Sequence, residues 1–122
     1  MKAVRISIIV FILLLAAVIL NSIYISKVTE KFADKIREID TENLEAAKDV
    51  LKQLHEEFRK EEKFISITVS HDDLTNIEES FADIIGAAEA GMTVDVITIK
   101  SRLEDALRHL GRLSSINFDS II

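Results

Sequence analysis

Ile6-Ser7-Ile8-Ile9-Val10-Phe11-Ile12-Leu13-Leu14-Leu15-Ala16-Ala17-Val18-Ile19-Leu20-Asn21-Ser22-Ile23-Tyr24-Ile25-Ser26 runs for 21 residues without a charged side chain. At the rise of an α-helix these residues cover about 31 Å, the thickness of a bilayer's hydrocarbon core. They follow a short basic start, Met1-Lys2-Ala3-Val4-Arg5. A cleaved secretory signal shares both features, but its peptidase needs small residues at the first and third positions before the cut. Bulky residues hold those spacings in Leu20-Asn21-Ser22-Ile23-Tyr24-Ile25. The reading is therefore an uncleaved signal anchor over 6–26, with Tyr24 at the far interface, where amphipathic rings concentrate.

Residues 1–5 then form a cytoplasmic basic stub and residues 27–122 an extracytoplasmic body. This orientation rests on Lys2 and Arg5 as the usual cytoplasmic end of such an anchor. On the other side, Lys27, Lys31, Lys35 and Arg37 are interleaved with Glu30, Asp34, Glu38 and Asp40. The expected location is the cell membrane, single-pass, with the N-terminus inside.

All 21 acidic residues but only 13 of the 15 basic ones lie after Ser26, so the body is acidic. Nucleic acid is not an expected partner, because contact with a phosphate backbone needs a positive footprint. The chain has no Cys, which rules out a disulfide, a thiolate nucleophile and a cysteine-held metal cluster.

The body reads as helices, because its apolar residues recur at alternating spacings of three and four and it contains no Pro. One stripe is Leu44, Ala47, Leu51, Leu54 and Phe58. A second is Leu74, Ile77, Phe81, Ile84 and Ala88, and a third is Val96, Ile99, Leu103, Ala106, Leu110 and Leu113. A shorter one, Val28, Phe32, Ile36 and Ile39, continues the membrane helix. Asp40 or Thr41 opens helix two, Ser70, Asp72 and Asp73 offer acceptors before helix three, and Gly91 and Thr93 separate helices three and four. Gly111 is read as the end of helix four, with Arg112 to Ile122 folding back onto the bundle. Phe64-Ile65-Ser66-Ile67-Thr68-Val69-Ser70 alternates like a strand. With no second run to pair with, it is assigned to a continuation of helix two. The fold class is all-α: a transmembrane helix, then a small antiparallel bundle of three main helices with the membrane helix's extension against it.

The order of these features is similar to a known family. The basic start, the single apolar helix, Asn43-Leu44-Glu45-Ala46-Ala47-Lys48, His71-Asp72-Asp73-Leu74-Thr75-Asn76-Ile77-Glu78, and His109-Leu110 before an apolar tail resemble domain of unknown function 4363. The likeness covers nearly the whole chain. It is most specific at His71 to Ile77 and in the tail Asn117-Phe118-Asp119-Ser120-Ile121-Ile122. Gly111 stands where that family often has a proline, and Phe58 or Phe64 where it often has a Trp. The resemblance implies a small single-span protein of a Gram-positive spore former, with no established activity and an association with another small membrane protein.

For chemistry, the three histidines are His55, His71 and His109. A helix turn near Met92 brings His71 toward His109, beside Asp72 and Asp73. Such a set suits a transition metal or a pH-dependent latch. The plainer reading makes the aspartates helix caps and sets His109 at the negative end of its own helix. His55-Glu56-Glu57 lacks the second histidine of a zinc-protease helix, since Arg59 stands four residues on. Adjacent glutamates such as Glu56-Glu57 point about 100° apart on a helix and read as a solvated face. No catalytic residue and no cofactor is assigned. Two functions of different class remain. One is an interaction module docking a membrane or envelope protein, with Phe64, Ile67, Ile97 and Ile121 as candidate contacts and self-association as a further outcome. The other is a ligand- or metal-responsive sensor built on His71, His109 and Asp72.

Overall fold

A computed structural model describes residues 1–66 and 69–121, with side chains as far as Leu113. Among them are four helices in the order α1 (Lys2–Arg37), α2 (Leu44–Ile65), α3 (His71–Glu89) and α4 (Thr93–Ile121). Successive helices are antiparallel, and α4 returns to pack most extensively on α1. The apolar N-terminal segment is thus continuous with one of the four helices of the bundle.

The two ends of α1 have different surroundings. Residues 1–20 are exposed apart from the half-buried Leu15 and Ile19, whereas Ser22, Ile25, Thr29, Phe32, Ala33 and Ile36 are buried. By length and composition α1 is able to cross a membrane. Its last three or four turns are core. Within residues 22–26, assigned to the span on composition, Ser22 and Ile25 already face the bundle core while Ile23 and Tyr24 stay exposed. The end of the bundle nearest residue 20 is called the base here, and the opposite end the tip.

The core follows the apolar stripes. Ala47, Leu51, Leu54 and Phe58 of α2, Leu74, Ile77, Phe81, Ile84 and Ala88 of α3, and Val96, Leu103, Leu107 and Leu110 of α4 are buried against Phe32 and Ile36 of α1. Phe32 meets Phe58 edge-on at 5.5 Å, and Phe58 lies 5.8 Å from Phe81, so one aromatic chain ties α1, α2 and α3 together.

Several boundaries differ from the sequence reading. Helix two opens on Asn43, whose side chain accepts from Ala46 N at 3.2 Å. Asp40 instead accepts from Glu42 N, closing a turn within the preceding loop. Helix two ends at Ile65, so the continuation assigned to 64–70 holds for its first two residues, while residues 67 and 68 fall outside the described residues. Ser70 caps α3 by accepting from Asp72 N, and Gly91 takes φ +71 in the turn before α4.

The largest correction concerns Gly111. It does not end helix four, which runs unbroken to Ile121, and the segment after Arg112 is helix and not a returning tail. Gly111 is buried against α1: a Cβ there would lie 2.6 Å from Thr29 Oγ1 and 3.8 Å from Ser26 Cα. The glycine serves close helix approach, which small residues on both helices allow.

Candidate functional site

On α2, His55, Arg59 and Glu62 stand four and three residues apart, which puts them on one helical face. The antiparallel register of α3 brings Glu78 against them. His55 Nε2 pairs with Glu78 Oε2, and Arg59 Nε reaches the same oxygen at 3.5 Å. The His55 ring stacks on Phe81 with centroids 4.9 Å apart and planes 8° from parallel, so the core holds it in place. Glu62 completes the cluster from one turn further along α2.

The two carboxyl groups compete for a proton. Glu62 Oε1 and Glu78 Oε1 are buried and meet no donor among the described residues. Two ionised carboxylates are acceptors only, so a proton on Glu62 or Glu78 is what would let one donate to the other. Glu62 takes it: burial, then the hydrogen bond to Glu78 and that neighbour's charge, push Glu62 up to about 7. Burial pushes Glu78 up as well. The hydrogen bond from Glu62, then His55 and Arg59, outweigh that push and hold Glu78 below the usual carboxylate range. The two groups therefore titrate as a pair whose charge changes near neutral pH.

This cluster differs from the one expected on His71, His109 and Asp72. His71 is the first residue of α3 and is exposed at the rim of a shallow recess with Glu62, Lys63, Thr75 and Glu79. Asp72 lies beside it in the first turn. His109 is exposed in the middle of α4, which continues for three more turns, so it does not sit at a helix's negative end. Among the described residues no group of three or more His, Cys, Asp or Glu side chains is placed to hold a metal ion. The sequence reading passed over His55 with Glu62 and Glu78, because their relation lies across two helices.

Of the four candidate contact residues, Phe64 and Ile97 are exposed. Ile67, and the side chain of Ile121, lie outside the described residues. Exposed Met92 and Val94 join Ile97 at the tip, where α3 turns into α4. At the other end, Phe64 forms an apolar recess with Leu20, Asn21 and Tyr24, and the Tyr24 hydroxyl donates to Glu61.

The helices are also tied by charge. Arg108 of α4 donates from Nη1 to Glu30 at 2.6 Å and from Nη2 to Asp34 at 3.0 Å, both on α1, while its Nε reaches Glu104 at 3.1 Å. Lys100 Nζ donates to the Ile39 carbonyl at 2.9 Å, closing the end of α1 against α4.

No curated protein and no solved structure matches the chain. Residues 18–121 match the family described as domain of unknown function (DUF4363), a stretch that includes the buried half of α1 and all three following helices; the chain belongs to that family.

Proposed function

We propose that this chain is a membrane-anchored, non-catalytic interaction module. Residues 6–26 hold it in the cell membrane with the N-terminus inside, and the bundle docks a membrane or envelope protein on the other side. The observation that carries this reading is the apolar cluster at the tip: Met92, Val94 and Ile97 are about half to three-quarters exposed. Val94 and Ile97 stand three residues apart at the start of α4 and so share a face. The body is acidic, and it gains nothing by leaving these apolar side chains in water. The anchor runs into the bundle as one helix, so the tip is held at a set distance from the bilayer and presented to a partner.

The test is crosslinking of the full-length tagged protein in its native membrane, followed by mass spectrometry, with an unrelated single-span protein as control. A specific partner, lost in Val94→Asp and Ile97→Asp variants whose melting curves match the parent, is the expected result. Only self-crosslinks, or a partner retained by both variants, sinks the reading.

A further inference from the structure

The base of the bundle carries an apolar side chain with a different role from those at the tip. Phe64 is 60 % exposed in the last turn of α2, at the level of Leu20, Asn21 and Tyr24 on α1. That level is also where the exposed half of α1 ends. A hydrocarbon core of about 30 Å that begins beyond Arg5 spans about 20 helical residues and ends near Ile25. Leu20 to Tyr24 therefore lie just inside the boundary, and Phe64 lies beside them.

Charges surround this level on three of the four helices. Lys27 of α1, Lys63 of α2 and Arg112 of α4 are exposed, and Arg112 borders the same recess as Ser26 and Gly111. They are cations at the base of an otherwise acidic body. The corner formed by α3 is the exception, with Asp72 and Asp73 in its first turn. Glu61 is bonded to the Tyr24 hydroxyl.

We propose that the base rests on the bilayer crossed by α1, with the Phe64 ring in the acyl region next to the headgroups and Lys27, Lys63 and Arg112 directed at anionic phosphates. Aromatic rings gather at this depth, and long basic side chains reach outward from it to the headgroups. The surface is continuous with the exposed half of α1, so lipid that covers Leu20 also reaches Phe64. Two points of attachment, the span and the base, fix the tilt of the bundle. This inference rests on α1 spanning the membrane.

The chain contains no Trp, so a single introduced Trp reports its own depth. Phe64→Trp, Leu13→Trp and Val94→Trp variants of the full chain are reconstituted in vesicles of equimolar phosphatidylcholine and phosphatidylglycerol, with bromine placed high or low on the acyl chains. Loss of Phe64→Trp emission to the high bromines, loss of Leu13→Trp emission to the low ones, and no loss for Val94→Trp are expected. Replacing Lys27, Lys63 and Arg112 with Gln is expected to weaken the quenching at position 64 and leave that at 13 intact. If position 13 is quenched and position 64 behaves like position 94, the lipid contact is wrong while the span stands. If position 13 escapes quenching as well, the spanning reading fails and the inference with it.

Discussion

Thr29 of α1 and Gly111 of α4 meet in close contact: the Thr29 hydroxyl donates to Ile25 O at 2.8 Å and occupies the space that a side chain on Gly111 needs. Thr29 is β-branched and buried, so it cannot swing aside as a lysine tip can. Gly111→Ala gains about 1 kcal/mol of helix propensity, but overpacking costs about 1–3 kcal/mol. The net expectation is a loss of about 1 kcal/mol, and a larger one for Gly111→Leu. Adding Thr29→Ala restores space, so denaturant melts of the two single variants and the double variant should show favourable coupling. Simple additivity places the contact elsewhere.

Glu62 makes stability depend on pH in a definite direction. Its folded value of about 7 lies above the ordinary 4.5, so the folded state binds the proton more tightly than the unfolded chain does. The contribution is fully present below the ordinary value, declines as pH rises, and is gone once pH passes the folded value. Glu78 is held low and acts in the opposite sense, its contribution being lost as pH falls into the acid range. Between about pH 5 and pH 8 the Glu62 effect governs. Because Glu62 is partly exposed, screening reduces it to about 1 kcal/mol. Thermal melts across that range should show a falling midpoint for the parent protein and a flatter profile for Glu62→Gln, which is the more stable of the two at the alkaline end. A parent profile with no slope rules out the shared proton.

The bundle was legible in the sequence because each helix carries its own record of burial. Leu51, Leu54 and Phe58, or Ile77, Phe81 and Ile84, declare a buried face by spacing alone, and Val28, Phe32, Ile36 and Ile39 already showed the apolar N-terminal helix entering the core. Gly111 misled because one residue type serves two physical needs, ending a helix or letting two helices touch. Only the facing Thr29 distinguishes them. Asp40 misled because several residues before helix two could cap it, and backbone direction selects Asn43. The site was less legible. His55, Arg59 and Glu62 share a face that can be read from spacing, but Glu78 joins them only once the α2–α3 register is known. That register was within reach, since antiparallel helices joined by a short connection, here between Ile65 and His71, pair residues at equal distances on either side.

Asn43 offers a separate check on that boundary. Its side chain satisfies one of the free N–H groups that open α2. Asn43→Ala is expected to cost about 1 kcal/mol in a denaturant melt, the usual loss of a helix cap. Asp40→Ala removes only a turn within the loop and should cost less. Equal losses, or a greater one at Asp40, contradict the cap assignment.

Arg108 distinguishes a geometric clamp from simple charge. Its guanidinium reaches Glu30 and Asp34 on α1 with separate nitrogens while Nε holds Glu104 on its own helix, and Asp34 and then Glu104 raise its already high proton affinity. A lysine keeps the charge but cannot fork. Arg108→Lys is therefore expected to recover only a small part of the midpoint lost in Arg108→Met. Both losses should shrink with added salt, because Glu30 and Asp34 are open to solvent. The Gly111→Ala loss, which is steric, should keep its size in the same salt series. If Arg108→Lys melts like the parent, net attraction between α1 and α4 is enough, and the forked contact contributes nothing of its own.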